Sequence, residues 1–77
     1  MVTGLVLVKI VPGKEKQVLA RLKNIKEVVH MSAVFGRWDL VLDMETHDLQ
    51  QLSKVVVDEI RSIPGVLSTE TLVTTSI

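Results

Sequence analysis

Residues 2–11 read VTGLVLVKIV, with Val, Leu and Ile at both odd and even positions. Successive side chains of a strand point to opposite faces. A strand of this composition therefore has two apolar faces and must be covered on both, which rules out a strand with one wet side. The chain has 77 residues to do this with, and a domain of that size buries only roughly 60–65% of the surface exposed by its unfolded chain. Small domains usually add disulfides, metals or partner subunits. With no cysteine in the chain, disulfides and thiolate metal sites are excluded, and partner subunits remain. A hydrophobic content of 47% and a mean hydropathy of +0.37 agree, because so short a chain has much surface to keep polar.

The rest of the chain divides by period. Pro12 and Gly13 end the first strand, and GKEKQVLARLKNI places Val18, Leu19, Leu22 and Ile25 on one helical stripe, which predicts an amphipathic helix of about three turns. Residues 27–35 alternate with Val29, Met31, Ala33 and Phe35 on one side; residues 38–45 alternate with Trp38, Leu40, Leu42 and Met44 opposite Asp39, Val41, Asp43 and Glu45. Gly36 and Arg37 between them predict a tight two-residue hairpin. From Thr46 the period becomes helical, with Leu49, Leu52, Val55, Val56, Ile60 and Ile63 as its stripe. Asp48 and Gln51 have capping-box spacing, and Pro64-Gly65 forms the stop. VLSTETLVTTSI, residues 66–77, is a last Thr-rich strand.

The order strand, helix, strand, strand, helix, strand predicts an α+β chain with a ferredoxin-like βαββαβ fold: a four-stranded antiparallel sheet with both helices on one face. The other face is left bare, yet the first strand makes it too apolar for water. Two sheets are therefore expected to pack face to face in a dimer. Burying several hundred Å² of apolar sheet at ~25 cal/mol per Å² adds about 10 kcal/mol before association costs, comparable to the net stability of a whole domain.

Charge excludes some functions. The formal net charge is zero, which argues against direct nucleic-acid binding. Its distribution is uneven: residues 1–26 hold six basic side chains against one acidic, and residues 27–77 three against eight. A solvated Lys-rich helix face accounts for this, as does attraction between unlike surfaces of neighbouring subunits or to an anionic partner. The longest apolar run, Leu5–Val8, falls far short of the ~20 residues of a membrane span. The N-terminus lacks the pattern of a secretory leader. A soluble, cytoplasmic protein with no membrane partner is the expectation.

Little in the chain suits catalysis or a metal. His30 and His47 are the only histidines and have no ligand spacing. Asp39, Asp43 and Glu45 share a strand face, where a solvated polar surface is the simpler account of them than a cation site. PGKEK lacks the glycines and hydroxyl of a phosphate loop. Small βαββαβ metal carriers use a CxxC loop, absent here. No cofactor is expected.

FGRWD, residues 35–39, gathers the only Phe and the only Trp beside Gly36, Arg37 and Asp39. A glycine at the turn leaves its backbone N–H open to close approach by a carboxylate, and Asp39 suits an ammonium. These are the two ends of a zwitterion. The structural alternative is a hairpin in which Gly36 makes the turn, Trp38 is core or interface, and Arg37 and Asp39 are solvated.

The Pro12-Gly13 turn, Gly36-x-x-Asp39 followed by LVL, Asp48 opening the second helix, and Pro64-Gly65-Val66 leading to STETLV form an ordered set. It resembles the effector-binding (RAM) domain of the Lrp/AsnC (feast/famine) transcriptional regulators. The resemblance covers essentially residues 1–77 and is carried by the set rather than by one motif. Full-length members of that family have an N-terminal helix-turn-helix domain; this chain opens directly on the first strand, so a single stand-alone ligand-binding domain with no DNA-binding domain is expected. The resemblance implies homodimers through sheet-to-sheet packing, rings of dimers, and small effectors, typically amino acids, at contacts between dimers; a sensor of this kind could pass its signal to full-length Lrp/AsnC-type regulators through mixed assembly. Carried over by position, it implies a site lined by Gly36, Arg37, Trp38 and Asp39, with Thr69, Glu70 and Thr71 contributing and the bulky Trp38 narrowing the pocket.

The function expected is thus an oligomeric amino-acid-sensing module and not an enzyme. Two readings compete. A dimeric α+β barrel enzyme would need ionisable groups in its cavity, whereas the even face of residues 38–44 is apolar. An ACT-like regulatory domain would join its sheets side by side.

Overall fold

The computed structural model describes residues 1–74. Strand β1, Val2–Ile10, is followed by helix α1, Glu15–Leu22, strands β2, Val28–Ala33, and β3, Leu40–Thr46, and helix α2, Leu49–Val55. Helix α2 continues into a π-helical segment, Val56–Ile60, and strand β4, Val66–Val73, ends the order. The four strands form one antiparallel sheet in the order β2-β3-β1-β4. This is the expected ferredoxin-like βαββαβ topology. Residues 75–77 of the last expected strand lie outside the described residues.

The doubly apolar β1 sits inside the sheet, between β3 and β4. Its even residues Val6, Val8 and Ile10 join Leu40, Leu42 and Met44 of β3 beneath the helices. Val18 and Leu22 of α1 and Leu52, Val55, Val56 and Ile60 of the second helix close this core. Two close approaches set the helix positions. A Cβ at Gly4 would lie 2.8 Å from Leu52 Cδ2, so the bare backbone there lets α2 rest on the sheet. At Gly65, with φ +105°, a Cβ would meet Lys14 Cβ at 2.8 Å and Val18 Cγ2 at 2.9 Å. The Gly65 carbonyl also accepts the Val11 N–H at 2.8 Å, which ties the end of the second helix to the end of β1.

The capping pattern works as read. Gln51 N–H donates to Asp48 Oδ1 at 2.8 Å, and Gln51 Oε1 accepts the His47 N–H at 2.8 Å. Other local expectations need correction. Helix α1 is eight residues long, about two turns, because the chain turns away after Leu22; Ile25 is buried from the connection that follows. The register of β2 shifts between Val28 and His30, so Val28 and Met31 pack on the core while Val29 is turned out. Nor is the β2–β3 hairpin a two-residue turn: β2 ends at Ala33, β3 begins at Leu40, and Val34 N–H donates to the Asp39 carbonyl at 3.0 Å across a wider loop. Phe35 is fully exposed and Trp38 half-buried, both outside the strands.

The odd residues of β1 point away from the helices. Leu5 stands between Asp43 and Leu72, and Leu7 between Val41 and Glu70. Leu5, Leu7, Val41 and Leu72 form an apolar strip. Around it lie Lys9, Glu45, Glu70 and the pair His30 Nδ1–Asp43 Oδ2 at 3.4 Å.

Candidate functional site

The expected site residues fall in two places. Gly36, Arg37, Trp38 and Asp39 sit in the β2–β3 loop at the Ile10 end of β1. Gly36 has φ +114° and open space around its Cα, as a turn that leaves its backbone approachable requires. Lys9 Nζ donates to the Arg37 carbonyl at 3.3 Å, holding the loop toward the open sheet face. The Asp39 carboxylate is engaged within the fold: Oδ2 accepts the Ile10 N–H at 2.8 Å, and its own N–H donates to the Val8 carbonyl at 2.9 Å. The side chain thus stands in for a strand carbonyl where β3 leaves the ladder. Its bond to the backbone is the structural role; an ammonium would have to share that carboxylate.

On β4 the three expected residues alternate. Glu70 pairs with Leu7 and faces the open side, while Thr69 and Thr71 pair with Val8 and Val6 and face the helices. There they line a groove of ≈420 Å³ with Leu49, Leu52, Ser53, Val56, Val57 and Arg61, a size within the ~300–1,000 Å³ of small-molecule sites. The fold therefore unites Thr69 and Thr71 with the second helix, and separates them from Glu70.

Five of the groove's residues come from the second helix and a sixth, Arg61, follows its last residue, and the helical stripe alone does not reveal them. Leu49 belongs to that stripe yet is 57% exposed, and Val57, one residue outside it, is 51% exposed. The legible signal is the run Val55-Val56-Val57, more apolar residues than one buried stripe takes up. The π-helical segment then brings in Arg61. Its N–H donates to the Val56 carbonyl at 2.9 Å. In an α-helix the fifth residue lies about 140° around the axis; the wider i→i+5 turn returns Arg61 toward the Val56 side, over the groove.

A second cleft of ≈290 Å³ lies between Lys26, Glu27, Glu45, His47 and Gln51. Within it Gln51 Nε2 donates to Glu27 Oε2 at 3.4 Å, and Glu45 N–H donates to the Glu27 carbonyl at 3.0 Å. Among the described residues, no group of three or more His, Asp or Glu is placed to hold a metal ion, and no helix is long and apolar enough to cross a membrane.

Comparison with known proteins gives a consistent picture. The model of the Lrp/AsnC ligand binding domain matches residues 3–77. An HTH-type transcriptional regulator from Pyrococcus horikoshii is 35% identical over 66 residues, covering 86% of this chain and 42% of the regulator. The chain thus spans less than half the length of that relative. Among solved structures, FFRP-DM1 superposes with a TM-score of 0.91 at 32% identity, covering 97% of this chain and 100% of that one. The transcriptional regulator NMB0573 from Neisseria meningitidis, crystallised as a complex with L-Met, gives a TM-score of 0.90 at 22% identity over 97% of this chain and 50% of its own, a likeness of fold.

Proposed function

The chain belongs to the Lrp/AsnC ligand-binding-domain family, and from that premise we propose that it is an oligomeric sensor of a small amino-acid effector. The observation that carries this reading is the groove between α2 and β4. Leucines and valines line a cavity of ligand size together with three hydroxyl-bearing residues, Ser53, Thr69 and Thr71, and one cationic residue, Arg61. Such a set of few polar groups on an apolar surface is what orients a small molecule. That an HTH-type regulator is among its relatives and that a regulator of this fold was crystallised with L-Met support the same reading.

Assembly supplies the rest of the mechanism. The strip of Leu5, Leu7, Val41 and Leu72 supports a homodimer packed sheet to sheet, with the charged residues at its rim. The exposed Phe35 and Gly36 loop supports a contact between dimers. If the loop of one dimer stands over the groove of the next, the two halves of the site, separate within one chain, come together only in the ring. A ligand that binds the ring and not the free dimer then favours the ring by RT ln(1 + [L]/Kd), about 2.7 kcal/mol at a hundredfold excess over Kd. Mixed rings would pass that signal to full-length regulators, which carry the DNA-binding function this neutral chain is not expected to have.

Calorimetry against the common amino acids, with light scattering at each, tests this reading. It expects at least one to bind and to raise the scattering mass. No binding, together with an unchanged assembly, would contradict it.

A further inference from the structure

Resting on the amino-acid reading above, we infer that the α2–β4 groove selects an uncharged aliphatic amino acid, with Arg61 receiving its carboxylate. Leu49, Leu52, Val56 and Val57 supply the apolar surface, and Leu49 and Val57 remain more than half exposed in the single chain. Arg61 is the one charged side chain among the residues lining the groove. Among the described residues, no carboxylate lies within ion-pair distance of its guanidinium.

The nearby acids are turned elsewhere. Asp58 and Glu59 line a cleft on the α1 side with Arg21 and Asn24. Glu70, the acid closest in sequence on β4, pairs with Leu7 and lies on the opposite face of the sheet.

These positions fix what the groove can accept. A ligand carboxylate at Arg61 gains a planar, charge-assisted contact. The ammonium beside it finds acceptors in the hydroxyls of Thr69, Thr71 and Ser53 and in the outward carbonyls of β4, an edge strand. A basic ligand side chain meets Arg61 and no compensating acid, and an acidic one must lay a charge on the leucine and valine floor. An aliphatic side chain instead covers surface that water now touches.

Isothermal titration of the 77-residue chain with L-leucine, L-isoleucine, L-methionine, L-arginine and L-glutamate tests this. At least one aliphatic ligand is expected to bind at least about tenfold more tightly than L-arginine and L-glutamate. Arg61→Ala is expected to weaken leucine binding about tenfold without altering the circular dichroism spectrum, since the side chain is exposed. Val57→Glu, which adds an acid at the rim, is expected to shift preference toward L-arginine. L-Arginine or L-glutamate binding as tightly as the aliphatic ligands, or unchanged leucine affinity in Arg61→Ala, would overturn the assignment and leave the sensing reading standing. If none of the common amino acids binds, the sensing reading itself fails.

Discussion

Asp39 Oδ2 accepts the Ile10 N–H at 2.8 Å, so a side chain completes the β1–β3 ladder where the β3 backbone has already left it. Asp39→Ala leaves a partly buried N–H without its acceptor and is expected to destabilise the fold by about 1–3 kcal/mol. Asp39→Asn keeps an oxygen in place and should recover most of that. Urea unfolding of the two variants checks it; equal stability of Asp39→Ala and wild type would mean that the contact contributes nothing.

Gly4 lets α2 rest on the sheet, and Gly65 lets α1 approach the turn that precedes β4. Gly4→Ala drives a methyl into Leu52, a buried but flexible side chain, and is expected to cost about 1–3 kcal/mol. Gly65→Ala meets the Lys14 and Val18 side chains and must also hold a φ of +105°, so it should be the worse of the two. Thermal unfolding gives the ranking.

Leu7 lies at the middle of the open sheet face, between Val41 and Glu70. Leu7→Asp would place a carboxylate in the sheet-to-sheet contact, next to Glu70, and is expected to weaken dimerisation roughly a hundredfold or more. Lys16→Asp, on the exposed side of α1, should leave it unchanged. Sedimentation equilibrium separates the two; a dimer that survives Leu7→Asp must use another surface.

Asp48 caps α2 through the Gln51 N–H. Asp48→Ala is expected to cost about 1 kcal/mol and, because α2 forms one wall of the groove, to weaken ligand binding along with stability. Hydrogen exchange at Gln51 and Leu52 is the direct readout, with faster exchange expected.

Where the sequence reading succeeded, it rested on strong periodic signals. The alternating and helical runs yielded the order βαββαβ, and Asp48-x-x-Gln51 and Pro64-Gly65 bracketed the second helix at the right ends. Local patterning failed where the backbone changes register. The irregularity at Val29 puts Val28 in its place against the core while Met31 keeps the expected side, and no spacing rule signals it. Gly36 and Arg37 resembled a two-residue turn, but the Asp39 carboxylate replaces a ladder carbonyl and so lengthens the loop.

The groove was half legible. Thr69 and Thr71 were named with Glu70 by the family resemblance, and their alternation with Glu70 follows from strand geometry alone. Arg61 was not, because its approach to Val56 depends on an i→i+5 turn, whereas helical periodicity assumes the α spacing. The Asp39 side chain looked free for a ligand because a sequence does not show which carboxylates serve the backbone.

Amide chemical-shift mapping of the labelled chain with L-leucine tests the central claim most directly, namely that the effector lies between α2 and β4. The largest shifts are expected at Ser53, Val56, Val57, Arg61, Thr69 and Thr71. Saturable shifts centred instead on Glu27, Glu45 and His47, or none at all, would contradict it.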